Sequence, residues 1–136
     1  MTRLFADTSY WIALLNPDDE LHSKAAALAQ RFSSAGVVTS EMVLVEVLNS
    51  FSRRGSHLRQ AAGKAVQGIL RTRNLTVVAQ TAEAFRNAIE VYIRAADKSW
   101  SLTDCASFEI MRAERLSGAL THDRHFVQAG FKVLMA

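Results

Sequence analysis

Leu4-Phe5-Ala6-Asp7 (residues 4–7) is the stretch that decides the fold, because three apolar residues of strand length run directly into a carboxylate. Longer segments with helical spacing separate this stretch from other short apolar runs. The alternation of strands and helices predicts a three-layer α/β/α sandwich with a mainly parallel central sheet. The other predicted strands are Val37-Val38, Leu75-Thr76-Val77-Val78, Ala119-Leu120 and Phe131-Lys132-Val133-Leu134.

Helix starts are predicted where a capping or acidic residue precedes a helical segment. The four starts fall at Asp18 (a helix to about residue 32), Ser40 (to about residue 51, ended by Gly55), Thr81 and Thr103. The only proline is Pro17, and no repeat or linker divides the chain. We therefore expect one domain over residues 1–136.

Composition narrows the class of protein. Hydrophobic residues make up 49% of the 136 residues, enough for a core without metal or disulfide support. The single cysteine, Cys105, excludes an internal disulfide. No signal peptide is visible, and no apolar run approaches the ~18 residues of a membrane span, so we expect a cytoplasmic protein without a membrane anchor.

The net charge of +3 is unevenly distributed. No acidic residue lies between Glu46 and Glu83, and the cations in that stretch are Arg53, Arg54, Arg59, Lys64, Arg71 and Arg73. This pattern fits either a solvated helix face or a surface that faces phosphates. Arg53, Arg54 and Arg59 are the candidate phosphate contacts.

Three carboxylates fall where a parallel sheet brings side chains together. Asp7 follows the first strand, Asp123 follows Ala119-Leu120-Thr121-His122, and Asp104 opens a helix. Strand carboxyl ends and helix starts converge at one edge of such a sheet. A fourth acid, Glu46, interrupts an apolar helix and shares its polar face with Asn49, Ser50 and Arg53.

Each acid also has an ordinary structural interpretation. Asp7 is able to begin a turn, Asp104 to complement a helix dipole, and Asp123 to cap the segment that follows it. Glu46 is able to face water. The four positions therefore point to a site only if they cluster.

A cluster of these acids would bind a divalent cation. Like charges hold protons more tightly unless a cation is present, and hard oxygen ligands suit Mg²⁺ or Mn²⁺. Such an ion assists phosphodiester hydrolysis. Asp7 and Asp104 are the leading candidate ligands, and Glu46 and Asp123 would complete the site. The hydroxyls expected to position these groups or the phosphate belong to Thr8, Ser9, Ser101 and Thr103.

In this pattern the sequence resembles the PIN-domain family, and in particular the VapC-type toxin ribonucleases of bacterial type II toxin–antitoxin pairs. The resemblance rests on four stretches in the family's order, which together span nearly the whole chain. They are Asp7-Thr8-Ser9 with residues 10–16, Glu46-Val47-Leu48-Asn49, residues 97–105 with Thr103-Asp104, and residues 120–126 with Thr121-His122-Asp123.

The resemblance implies a single PIN-like nuclease domain and Mg²⁺- or Mn²⁺-dependent endoribonuclease activity with Asp7, Glu46, Asp104 and Asp123 as catalytic and metal-binding residues. It further implies a homodimer and inhibition by a small cognate antitoxin. Residues 55–95 carry no family motif, and substrate choice is expected to vary in this region. The sequence does not specify the RNA that is cut, the number of metal ions or the antitoxin.

The histidines do not form a zinc set, because no cysteine or glutamate stands at a supporting spacing from His122 and His125. We therefore assign structural or surface roles to them. Two other functions remain open at this level. One is an aspartyl-phosphate-type phosphatase with Asp7 as nucleophile, although Ser9 stands where a second aspartate is usual. The other is a partner-dependent nucleic-acid-binding module without catalysis.

Overall fold

Five parallel strands form the centre of the fold, and helices cover them on both sides in the computed structural model, which describes residues 2–136. The strands are β1 (Arg3–Ala6), β2 (Gly36–Ser40), β3 (Leu75–Val78), β4 (Gly118–Leu120) and β5 (Lys132–Val133). The helices are α1 (Thr8–Leu15), α2 (His22–Arg31), α3 (Glu41–Phe51), α4 (Ser56–Arg71), α5 (Ala82–Arg94), α6 (Leu102–Ala113) and α7 (His125–Gln128). Within residues 2–136, no helix is long and apolar enough to cross a membrane.

The strand order determines where a site forms. The sheet runs β3-β2-β1-β4-β5, and all four pairings are parallel. The chain builds outward from β1 to β3 and then returns to place β4 on the other side of β1. In open parallel sheets, ligands bind beyond the strand carboxyl ends at this reversal point. Asp7 follows β1 and Asp123 follows β4, so both acids lie beside it.

Buried aromatic residues fix the elements that carry the site. Phe108 of α6 contacts Phe126 of α7 edge to face, with ring centroids 4.9 Å apart. Phe126 in turn packs on Phe5 of β1, and all three side chains are fully buried. Edge-to-face pairs of this kind add to the free energy gained by burying the rings. The packing therefore ties α6 and α7, which carry or adjoin Asp104 and Asp123, to the central strand.

The predicted α/β/α sandwich and its strands are confirmed, although β5 is limited to Lys132–Val133 and the sheet is entirely parallel. The predicted helix start at Asp18 is wrong, because α2 begins at His22. The carboxylate of Asp19 accepts the backbone N–H of Leu21 at 2.8 Å, which holds the chain in a turn. Aspartate favours such local hydrogen bonds over a helix interior.

Two further boundaries differ from the prediction. Helix α3 ends at Phe51, and Gly55 instead precedes α4 with a φ of +88°, which glycine adopts without strain. Helix α6 begins at Leu102 and is capped by Ser101 rather than Thr103. A helix without a predicted start, α1, begins directly after Asp7, where no side chain caps it.

Candidate active site

The four predicted carboxylates line one cleft of about 330 Å³ beyond the carboxyl ends of β1 and β4. Asp7 comes from a strand end, Glu46 from α3, Asp104 from α6 and Asp123 from the loop before α7. Within residues 2–136, no Lys or Arg side chain forms part of its wall. The remaining lining residues are Thr8, Ser9, Ile12, Ser99, Ser101 and His125.

Asp7 is the most enclosed of the four acids. Only 4% of its surface is exposed, and its backbone N–H donates to the carbonyl of Leu120 at 3.1 Å, which continues the pairing of β1 with β4. Burial raises the pKa of Asp7 to about 7, and the charges of Asp104 and Asp123 act in the same direction. At neutral pH this carboxyl group is therefore divided between its protonated and ionised forms, and a nearby positive charge would favour the ionised form.

Thr121 positions Asp7 and was not identified by the sequence analysis. Its hydroxyl donates to Asp7 Oδ2 at 2.8 Å and accepts the backbone N–H of Asp123 at 3.0 Å. Because the Thr121 hydroxyl proton is donated to Asp7, Thr121 Oγ1 accepts the Ser9 hydroxyl at 3.1 Å. The Ser9 hydroxyl in turn accepts the backbone N–H of His122 at 3.0 Å. The available signal was the position of Thr121 directly after β4, two residues before Asp123.

Asp104 is held by the start of its own helix. Its Oδ2 accepts the backbone N–H of Ser101 at 3.1 Å, while the Ser101 hydroxyl accepts the N–H of Asp104 at 3.0 Å. This reciprocal arrangement is a capping box. Burial raises the pKa of Asp104, although the hydrogen bond from His125 opposes the shift. Asp104 thus fulfils its helix-start role and faces the cleft as well.

His125 lies in the wall of the cleft, whereas the sequence predicted a structural or surface role for it. Its Nδ1 lies 2.9 Å from Asp104 Oδ2 and 3.3 Å from Asp123 Oδ1. Since carboxylates only accept, Nδ1 carries the proton and bridges the two acids. Asp123 Oδ1 also accepts the backbone N–H of His125 at 2.8 Å, which holds the turn before α7; the N-cap position of that helix is Arg124 and not Asp123.

Glu46 is less constrained. It is half-buried, and its Oε1 accepts the Thr8 hydroxyl at 2.6 Å. The helix face that carries Glu46 therefore turns toward the end of β1 rather than toward bulk water. A mid-helix carboxylate on a long side chain has more freedom to adjust than the acids at element ends.

The other predicted residues divide between the cleft and its surroundings. Thr8, Ser9 and Ser101 line the cleft, whereas Thr103 is buried in α6 and forms no part of the wall that residues 2–136 build. Arg53, Arg54 and Arg59 are exposed and lie outside the cleft. The Arg54 guanidinium lies 6.0 Å from the Phe51 ring centroid, and the Arg59 guanidinium donates to the Ser52 carbonyl at 3.0 Å.

The donor set fits a divalent cation. Asp104, Asp123 and His125 each offer a ligand atom within 4.8 Å of the others. The pKa values of Asp7 and Asp104 are raised mainly because burial disfavours their ionised forms, and a bound cation would offset that cost. Carboxylate oxygens are the ligands that Mg²⁺ and Mn²⁺ favour.

Comparisons with known proteins identify this arrangement. Residues 4–132 match the PIN domain family. The 23S rRNA-specific endonuclease VapC20 of Mycobacterium tuberculosis is 32% identical over 130 residues, which cover 94% of this chain and 95% of VapC20. The crystal structure of that protein, described as a sarcin-ricin loop cleaving toxin, superposes with a TM-score of 0.82 over the same shares of the two chains.

More distant structures share the fold. FitAcB from Neisseria gonorrhoeae superposes with a TM-score of 0.68 at 12% identity, over 96% of this chain and 95% of that one. VapBC2 from Rickettsia felis, bound to a DNA fragment from its promoter, gives 0.65 at 13% identity, over 97% of each chain. The chain shares the fold and the order of acidic stretches of this family, and VapC20 is 32% identical to it over nearly the full length. This chain therefore belongs to the PIN-domain family and, within it, to the VapC type.

Proposed function

We propose that this protein is a metal-dependent endoribonuclease that acts as the toxin of a toxin–antitoxin pair. The observation that carries the proposal is the meeting of Asp7, Glu46, Asp104 and Asp123 in one cleft at the reversal point of the sheet. Membership in the VapC type, with a curated endonuclease as a relative, supports the same conclusion.

Asp7 and Asp104 would hold Mg²⁺ or Mn²⁺, with Glu46 and Asp123 completing the site. When bound, the ion lowers the pKa of water and neutralises charge on the scissile phosphate. Asp7 would hold the ion as a carboxylate, so metal binding near pH 7 would be coupled to release of the proton that burial favours on this group. The Thr121 hydroxyl then fixes the direction of Asp7 Oδ2.

The remaining side chains orient the reacting groups. The Ser101 backbone N–H and the His125 imidazole hold Asp104 Oδ2 from two sides, and the Thr8 hydroxyl holds the Glu46 carboxylate. The hydroxyls of Thr8, Ser9 and Ser101 line the cleft where a phosphate oxygen would lie. Preorganised donors and acceptors of this kind lower the barrier because they need no rearrangement during the reaction.

RNA is the proposed substrate, and ribosomal RNA is the first to test, since the relative VapC20 is a 23S rRNA-specific endonuclease. The cleft itself repels phosphates until the cation is bound, so cations outside it must attract the RNA. Arg53 is one such candidate, because it is exposed in the turn just beyond α3, the helix that carries Glu46. Arg54 and Arg59 follow it beside the α3–α4 turn.

The proposal includes a cognate antitoxin protein as inhibitor, a homodimer as the working assembly, and the cytoplasm as the site of action. The antitoxin and the homodimer are expected from the resemblance to VapC-type proteins. Co-expression with the protein encoded by a neighbouring short reading frame, followed by size-exclusion chromatography, tests both partners. An isolated monomer that no neighbouring gene product binds would contradict this part of the proposal.

RNA cleavage by the wild-type protein is the direct test, with Asp7→Asn and Asp104→Asn as variants. We expect cleavage of ribosomal RNA with Mg²⁺ or Mn²⁺, none with EDTA, and none with either variant, while circular dichroism shows a folded chain in all three. Unchanged cleavage by both variants, or by the wild type in EDTA, would refute the mechanism.

The same preparation separates the alternatives. An aspartyl-phosphate-type phosphatase would form a covalent phosphoaspartate at Asp7, which mass spectrometry detects after trapping. A binding module would retain RNA in a mobility-shift assay and leave it uncut with either metal.

A further inference from the structure

A second cavity lies beyond the connection between α5 and α6, on the other side from the acidic cleft. It is an open depression of about 410 Å³, within the size range of small-ligand sites. Ser99 and Ser101 line the acidic cleft, whereas Trp100 between them lines the second cavity. A smaller cavity of about 230 Å³ shares Ser99 with the cleft and Trp100 with the second cavity, so the three adjoin.

The second cavity has the cationic side chains that the acidic cleft lacks, three of them against the two carboxylates of Asp97 and Glu109. Arg94, Lys98 and Arg112 line it, and all three are exposed. Lys98 contacts the neighbouring Asp97 at 2.9 Å, but exposed ion pairs contribute little free energy and exchange readily. Three cations beside a nuclease cleft without Lys or Arg in its wall are suited to the phosphates that flank the scissile one.

Trp100 forms a rigid aromatic wall of the cavity. Its ring contacts Phe108 edge to face at 4.9 Å, and its Nε1 donates to Gln128 Oε1 at 2.9 Å. Tyr92, which is 53% exposed, lines the smaller cavity. Fixed aromatic rings bind unstacked bases of single-stranded RNA with little loss of side-chain entropy.

Glu109 gives the cavity an acceptor. Its side chain is half-buried, and no hydrogen bond or ion pair within residues 2–136 engages its carboxylate. A carboxylate next to three cations repels phosphate but accepts N–H groups. The amino and imino groups on the edge of a nucleobase are donors of this kind.

We propose that this cavity binds a nucleotide of the substrate RNA next to the scissile phosphodiester. Arg94, Lys98 and Arg112 contact its phosphates, Trp100 packs against the base, and Glu109 accepts N–H donors from the base edge. The inference rests on the proposed ribonuclease function and names the residues that select the sequence at the cut.

The charge is tested with a pair of triple variants. Arg94→Gln, Lys98→Gln and Arg112→Gln form the test, and Arg71→Gln, Arg73→Gln and Lys132→Gln form the control. Both reduce the net charge from +3 to zero, but the control residues are exposed at the amino ends of the strands, away from the cleft. RNA binding is measured by fluorescence anisotropy in the Asp7→Asn background, and cleavage is measured without that change.

The test variant should bind single-stranded RNA at least tenfold more weakly, with KM raised and kcat within about twofold. The slope of log affinity against log salt should fall by about 0.7 for each lost phosphate contact. The control should keep wild-type binding and KM. If both triple variants bind and cut equally well, the inference is wrong, while the ribonuclease function stands.

Glu109→Gln tests base selection. An amide both donates and accepts, so the base preference beside the cut, read by sequencing the 5′ ends of the fragments, should change while the cleavage rate on total RNA stays within a few-fold. An unchanged preference overturns the role of Glu109. A further outcome is that the wild type cuts no RNA, while the test triple variant still binds RNA more weakly than the control does. That result would support the nucleotide-binding cavity and refute the ribonuclease function.

Discussion

The acidic cleft has a floor, formed by Asp7 and Asp104, and a rim, formed by Glu46 and Asp123. The floor acids are 4% and 6% exposed, whereas both rim acids are half-buried. On the floor, burial raises the pKa of each carboxyl group, and backbone pairing or a helix cap fixes its position. Ionising the buried floor carboxyl groups costs free energy, which a proton or a bound cation offsets. The half-buried rim carboxylates are more accessible to water and are freer to move.

The largest expected effect is the loss of activity on neutralising the floor. Asp7→Asn and Asp104→Asn should each lower kcat/KM by at least about 10³-fold, roughly 4 kcal/mol of transition-state stabilisation. Glu46→Gln and Asp123→Asn should lower it by about 10- to 100-fold, since water can replace a half-buried ligand. Single-turnover cleavage of one RNA by all four variants measures the difference. Equal losses at floor and rim would remove the distinction.

The floor should also make the metal-free protein sensitive to pH. The pKa of Asp7 is about 7 in the folded protein, against an ordinary value of 3.8 for an aspartate in the unfolded chain, so the unfolded state loses its proton first. Stability is therefore highest at low pH and falls as the pH rises from about 4 to 7. At about 1.36 kcal/mol per pKa unit, the full cost is on the order of 4 kcal/mol.

Asp7→Asn removes this cost and should be more stable than the wild type in EDTA. Urea unfolding should show that its advantage grows by on the order of 3 kcal/mol between pH 5 and pH 8. Adding Mn²⁺ at pH 8 should stabilise the wild type and leave the variant nearly unchanged. An advantage that is the same at both pH values would mean that Asp7 is not the group responsible.

The floor was easier to predict from the sequence than its supports. Asp7 follows an apolar strand, and Asp104 opens a helix, so parallel topology alone brings them to one edge. Glu46 had no such signal, because its helical spacing fits a solvated face equally well. Its approach to Thr8 depends on the packing of α3 against α1, which periodicity does not encode.

The supporting residues depend on contacts across the chain. Thr121 contacts Asp7 across 114 positions and His125 contacts Asp104 across 21, so neither pairing has a local signature. Thr103 was the opposite case: it stands beside Asp104 in sequence, yet α6 starts earlier and turns it into the interior. The local sequence pattern thus predicts where the acids lie, while tertiary packing determines which residues hydrogen-bond to them.

A matched pair of Thr→Val substitutions compares the supports of floor and rim. Thr121→Val removes the donor to Asp7 and leaves the part-buried donors of Ser9 and Asp123 without their acceptor, which costs about 1–2 kcal/mol of stability. The Thr121 hydrogen bond lowers the pKa of Asp7, so its loss should move the acidic limb of the cleavage profile to higher pH, with a 10- to 100-fold loss at pH 7. Thr8→Val should cost less than about 1 kcal/mol and leave that limb in place. The pH profiles of kcat/KM for both variants decide the matter, and a shift of equal size in both would contradict the prediction.

The smallest expected effect is a difference in Mn²⁺ affinity between two cap variants, one at the floor of the cleft and one at another helix. Ser101 and Thr81 are both exposed, and each accepts the backbone N–H three residues ahead at 3.0 Å. Replacing either with alanine should therefore destabilise the protein by about 1 kcal/mol. Ser101→Ala removes the acceptor of the Asp104 backbone N–H and keeps the backbone N–H that Asp104 Oδ2 accepts, so it loosens the first turn of α6 beside this carboxylate. Only this variant should therefore weaken Mn²⁺ binding, by a few-fold in isothermal titration calorimetry. Because the two variants share the same loss of stability, any difference in Mn²⁺ affinity measures how far the helix start holds the floor carboxylate in place. Equal affinities would show that α6 positions Asp104 through its packing at Phe108 rather than through its cap.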